Sequence, residues 1–265
     1  QKIYWIDSTE CRIYRADADG TNVETWDVPA KIGSLALREN GGAVIALQSG
    51  IHTFDFTTGK ATLIADPEPD YPTTRLNDGK VDRRGRFFFG SMDIDENKNI
   101  CRLYRLDPDF SLHVMDEGII VSNGPCFSPD DRTFYFADSR SGRISAYDYD
   151  AATGDLSNKR TFVKLETGAP DGGTVDAEGY VWTAAIIAGE LRRFATDGTL
   201  ERAIPMPVKN LTSLNFGGPD LDIIYCTSIA RMHLPDVPND GPLGGSLFAV
   251  YGTGIRGVAE PRFAG

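Results

Sequence analysis

A chain of 265 residues can bury one large core, and 41% hydrophobic with 25% charged residues place it among soluble globular proteins. No apolar run approaches the roughly 18 residues of a membrane helix, and the first residues resemble neither a signal nor a transit peptide. The net charge of −11 argues against nucleic acid and anionic membrane as partners, because both need a basic face.

In chain order, one kind of segment keeps returning. Ile3-Tyr4-Trp5-Ile6-Asp7 is followed by Ala43-Val44-Ile45-Ala46-Leu47 and Phe87-Phe88-Phe89-Gly90-Ser91. Then come Phe134-Tyr135-Phe136-Ala137-Asp138, Val181-Trp182-Thr183-Ala184-Ala185 and Ile223-Ile224-Tyr225-Cys226-Thr227. The runs recur at about 40 to 47 residues, a propeller-blade period. A second strand follows each: Ile13–Arg15, Ile51–Phe54, Leu103–Leu106, Ile144–Tyr147, Leu191–Phe194 and Leu247–Val250. Turn signals such as Asp19-Gly20, Thr58-Gly59, Thr153-Gly154 and Asp197-Gly198 follow these second strands. No amphipathic segment demands a helix.

The expected fold is therefore all-β, a six-bladed β-propeller of four-stranded antiparallel blades in a single domain, 1–265. A pair of β-sandwiches fits the even spacing less well. The first unit begins at Ile3 with its second strand, so its inner strand is missing and is expected either upstream of Gln1 or from elsewhere.

Three loops entering inner strands read alike: Arg75-Leu76-Asn77-Asp78-Gly79-Lys80-Val81-Asp82, Val121-Ser122-Asn123-Gly124-Pro125 and Pro170-Asp171-Gly172-Gly173-Thr174-Val175-Asp176. Asn77, Asn123 and Asp171 each stand five positions before the last residue of their strand (Asp82, Ser128 and Asp176); Gly33 and Thr212 fill the matching places. Blade symmetry would gather these positions at one channel mouth. Amide and carboxylate oxygens suit hard cations such as Ca²⁺, Mg²⁺ or Mn²⁺. The histidines His52, His113 and His233 lack HxH or HExxH spacing, and Cys11, Cys101, Cys126 and Cys226 lack CxxC spacing. Free thiols in a chain of this size suggest a reducing, cytoplasmic location. Asp82 and Asp176 are expected to be turn residues, Asp78 a loop cap, and Trp5, Trp26 and Trp182 core.

These loop segments, with Ser34–Arg38 and Gly254–Ala259, resemble the regucalcin (senescence marker protein), gluconolactonase and luciferin-regenerating-enzyme family. The resemblance implies a six-bladed propeller with one divalent metal (Ca, Zn, Mn, Mg or Fe) held by a Glu, an Asn and an Asp. It places the Asn at Asn123 and the Asp at Asp171; the Glu has no counterpart in this chain and is expected upstream. It puts substrate contacts at Arg75 and Asn77, and an acidic contact at Asp95 or Asp93, with spacing favouring Asp95. The implied activity is opening of a sugar (aldono) lactone to the aldonic acid. The metal would polarise the carbonyl, with Asp171 or a metal-bound water delivering the nucleophile. The alternatives are a non-catalytic, calcium-binding regulatory propeller and a hydrolase of other esters or phosphotriesters. The segment Arg231–Asp240 is expected to roof the pocket.

Overall fold

A computed structural model describes residues 2–231 and 239–265. The predicted roof segment thus lies, over 232–238, outside the described residues. The chain divides into two compact units, Gln1–Ser122 with Ala151–Asp155 and Glu260–Gly265, and Asn123–Asp150 with Leu156–Ala259.

The first unit holds three antiparallel sheets, each a simple meander. Its first sheet is β1 (Lys2–Asp7), β2 (Arg12–Asp17) and β3 (Glu24–Asp27). Its second is β4 (Ile32–Leu37), β5 (Ala43–Leu47), β6 (Gly50–Asp55) and β7 (Lys60–Ala65). Its third is β8 (Thr74–Val81), β9 (Phe87–Asp93), β10 (Cys101–Leu106) and β11 (Leu112–Ile119). The sheets reached in the second unit are β12 (Ser122–Phe127), β13 (Thr133–Asp138), β14 (Arg143–Asp150) and β15 (Asp155–Lys164), followed by β16 (Ala169–Val175), β17 (Val181–Ile186), β18 (Glu190–Phe194) and β19 (Leu200–Pro205). A last sheet of β20 (Leu211–Gly217), β21 (Ile223–Ser228) and β22 (Phe248–Val250) completes the chain.

Every recurring run is a strand, and the only helical elements among the described residues are 3-10 turns at Ser139–Ser141 and Gly241–Leu243. The first sheet has three strands, as the sequence implies. Among the described residues the final sheet also has three rather than four. The residues after β22 form no further ladder: they make isolated bridges, Gly257 to Asp176 and Phe263 to Arg38.

Composition explains the layering. The second strands β5, β9 and β17 are buried along their whole length, so they read as continuous apolar runs instead of alternating ones. The outer strands β7, β11, β15 and β19 are exposed or half-buried almost throughout and mix polar with apolar residues. In the first unit, Phe87 and Phe89 stack at 5.4 Å, and Tyr104 stacks on Phe89 at 5.4 Å. Phe263, fully buried, joins that cluster with Val44 and Leu76.

The residues closing the inner strands are structural, as expected. Asp82, 1% exposed, accepts the N–H groups of Arg84 and Arg86 on Oδ1 and the Arg86 guanidinium on Oδ2 at 2.6 Å. Asp176 does the same with the N–H groups of Glu178 and Tyr180, then takes Trp182 Nε1 and Arg193 Nε, both at 2.8 Å. At the matching place Ser128 Oγ accepts the Thr133 N–H at 2.9 Å. Each side chain ties a tight turn to the strand that follows, which pins the inner strand at that end.

Phe263→Ala is expected to cost about 3–5 kcal/mol, the usual range for emptying a packed aromatic site. Equilibrium urea unfolding, comparing midpoints at unchanged slope, measures it.

Candidate functional site

Four inner strands share one irregularity at positions singled out by sequence register. In the first unit, Ile32 pairs with Leu47 but Ser34 with Ala46, so Gly33 is an extra residue. Likewise Leu76 pairs with Ser91 and Gly79 with Phe89, so Asn77 and Asp78 stand opposite one residue. In the second unit, Pro170 pairs with Ala185 and Gly173 with Thr183, leaving Asp171 and Gly172 opposite one residue. Thr212 is extra between the pairs Leu211–Ser228 and Ser213–Thr227. These are β-bulges, which turn a side chain out of the regular alternation and are common beside active sites.

Within the first unit, Arg75 and Asn77 meet directly. Arg75 Nη1 donates to Asn77 Oδ1 at 2.7 Å and to the Leu76 carbonyl at 3.1 Å. Asn77 Nδ2 donates to the Ser122 carbonyl at 2.7 Å, and Ser34 Oγ donates to the Asn77 carbonyl at 2.8 Å. A guanidinium can only donate and a carbonyl can only accept, so the orientation of the Asn77 amide is fixed. Asp78 Oδ1 accepts the Gly79 N–H at 2.8 Å, the loop cap expected of it.

Of the two acidic candidates beyond β9, Asp93 is fully buried, and its Oδ2 accepts the N–H groups of Asn97 and Lys98 at 3.0 and 3.1 Å. Asp95 is exposed on the turn that Asp93 organises. The turn is tied to the approach to β8 by the Ile94 N–H, which donates to the Thr73 carbonyl at 2.8 Å.

Within the second unit, Asn123 and Asp171 lie on neighbouring backbone. Gly124 has φ +54°, and a Cβ there would stand 2.9 Å from the Asp171 carbonyl oxygen, so a glycine lets the two strands approach. Asn123 is 5% exposed and Asp171 is half-buried. Asn123 Nδ2 donates to Ser139 Oγ at 2.8 Å, and Ser139 Oγ donates to the Pro170 carbonyl at 2.6 Å. Asp171 Oδ1 accepts the Gly172 N–H at 3.0 Å.

Ser139 was not identified by sequence. It follows a predicted strand end in an unremarkable Ser-Arg-Ser-Gly turn, and its acceptor lies 31 positions away. Cys226 on β21 also senses the site: burial first, then the charge of Asp171, push its thiol up to about 12.

The donor set fits a hard divalent cation in kind. Asn123 has its nitrogen turned toward Ser139, which leaves its carbonyl oxygen on the opposite side, and Asp171 adds a carboxylate. Among the described residues no group of three histidine, cysteine or acidic side chains is placed to hold a metal ion. No helix among them is long and apolar enough to cross a membrane.

Residues 1–230 match the family described as SMP-30/Gluconolactonase/LRE-like region. The chain belongs to this family. It is 35% identical to regucalcin of Xenopus laevis, over 99% of this chain and 91% of the relative. It is 34% identical to 6-deoxy-6-sulfogluconolactonase of Pseudomonas putida, over 100% of this chain and 91% of the relative. The solved structure of regucalcin from Agrobacterium tumefaciens, described as a calcium-binding protein, is 29% identical with a TM-score of 0.91, covering 99% of this chain and 89% of that one. The family fold agrees with the sheets found: the chain is a six-bladed β-propeller.

The Cys226 shift sets a pH dependence. A thiol ionises near pH ~8.5 in the unfolded chain but only near 12 when folded, so its stabilising contribution is whole below ~8.5 and drains as pH rises toward 12. Above pH ~9 the wild type is expected to lose up to ~1.4 kcal/mol of stability per pH unit more than Cys226→Ala does. Urea midpoints across pH 8–11 check this.

Proposed function

We propose that this chain hydrolyses the ring ester of a sugar lactone to the aldonic acid, with Asn123 and Asp171 holding a divalent cation. The observation that carries the reading is the pairing of an oxygen-presenting amide with a carboxylate on adjacent inner strands, in a chain whose family includes a curated sugar lactonase. When bound, the cation supplies Lewis acidity to the lactone carbonyl, worth several kcal/mol at the tetrahedral transition state.

The rest falls to side chains. Water adds to the carbonyl carbon and the bond from that carbon to the ring oxygen breaks. Asp171 is the group that takes the proton from water and returns it to the departing ring oxygen. A carboxylate beside a cation is a feeble base, so its contribution lies as much in orienting the water as in holding its proton. Arg75 donates to ring hydroxyls, and Asn77, set by Arg75, orients the substrate. Asp95, exposed and near the approach to β8, is the acidic group for a further hydroxyl.

The regucalcin relatives support a second reading, calcium binding without turnover. A lactone-opening assay with and without chelator separates the two. Activity is expected to vanish with chelator and to return with added divalent ion. Asp171→Ala should lower both calcium affinity and lactone opening by about a hundredfold or more. Calorimetry finding wild-type affinity in that variant removes Asp171 as a ligand. Arg75→Ala should raise KM more than it lowers kcat, as loss of a contact equal in ground and transition states requires.

A further inference from the structure

A carboxamide has two ends of nearly equal size and opposite chemistry. Rotating the Asn123 amide by half a turn would replace an electron-rich oxygen with an NH₂ group, which repels a cation. The Asn123 side chain therefore needs something to choose its orientation. Ser139 supplies that choice through the direction of its own hydrogen bond.

A serine hydroxyl has one proton. Ser139 Oγ lies 2.6 Å from the Pro170 carbonyl, a group that can only accept, so the proton is committed there. Toward Asn123, 2.8 Å away, Ser139 then has only lone pairs to offer. Only the amide nitrogen satisfies them, and the amide oxygen must face the other way. The same hydroxyl also holds the backbone carbonyl just before Asp171, at the start of the bulge that aims the carboxylate. The turn bearing Ser139 is independently closed by Gly142, at φ +67°, and by Ser141 Oγ, which donates to the Asp138 carbonyl at 2.9 Å.

We infer that Ser139 is a positioning residue for the cation, one hydroxyl that locks the Asn123 amide with its oxygen turned away from Ser139 and fixes the approach to Asp171. The inference rests on Asn123 and Asp171 being the cation-binding pair. Ligand-orienting partners of this sort are commonly worth 10–100-fold in metal affinity.

The test is calcium titration of chelator-stripped protein by calorimetry, with circular dichroism melting as a check on folding. Ser139→Ala is expected to weaken calcium binding about 10–100-fold. Ser139→Thr, which keeps the hydroxyl, should bind close to wild type, and Ser141→Ala should leave affinity unchanged although it loosens the same turn. The decisive comparison repeats Ser139→Ala in an Asn123→Asp background. A carboxylate presents oxygen at both ends and has no wrong orientation, so most of the penalty should vanish there. A penalty of equal size in both backgrounds would mean that Ser139 only props the turn, and overturns the inference. So would wild-type affinity in Ser139→Ala while Asp171→Ala loses calcium. If Asp171→Ala binds calcium undiminished, the cation pair itself is wrong. Should Ser139→Ala fail to fold, Ser139→Cys, a weak acceptor of similar size, serves in the same comparison.

Discussion

A strand that carries one residue more than its partner cannot keep every side chain in register, and this mismatch is what the functional reading depends on. At Asn77–Asp78 and at Asp171–Gly172 the extra residue falls inside a ladder that resumes on both sides. The backbone is thus held by regular pairing while the bulged side chains are released from alternation. Asp82 and Asp176, buried at the far ends of the same strands, stop those strands from relaxing by slippage. A polar group held this way is rigid, which is what binding an ion or orienting a substrate requires.

Hydrogen-bond polarity then sorts the two asparagines. Asn77 spends its oxygen on a guanidinium and its nitrogen on a carbonyl, so both ends of the amide are engaged by the first unit's own groups. Asn123 spends its nitrogen on a hydroxyl whose proton is already used. Two identical side chains in matching register are thereby oriented by different means, one by a guanidinium and a carbonyl and the other by a hydroxyl.

Much of the architecture was legible in the amino-acid order because the central strands are buried on both faces. Val44-Ile45-Ala46 and Phe87-Phe88-Phe89 have no polar alternation to confuse them with surface strands. Asp82 and Asp176 were readable as turn residues because a carboxylate followed by Gly and a strand has few other uses. The bulges were legible only as a register coincidence, since an extra residue is defined by a partner strand that spacing alone does not reveal. Asp93 was hidden for a different reason. It belongs to an acidic run that looks like a solvated loop, yet it is fully buried and caps two backbone N–H groups. Ser139 was hidden because its function lies in the direction of one proton, set by a carbonyl far along the chain. The fourth strand of the last sheet was over-counted, because the residues after β22 bridge to other sheets.

The bulge positions are not equally open to redesign. At Gly33 any side chain would collide with the Leu76 carbonyl and would come within 2.5 Å of the Asn77 Cα, so that place is closed to new chemistry. Thr212, half-buried with its hydroxyl 2.8 Å from that of Thr227, already accommodates a branched polar group. Of these two bulges, then, one seat is permissive and the other forbidden, and lineages that varied a bulge side chain would be expected to show it at the former.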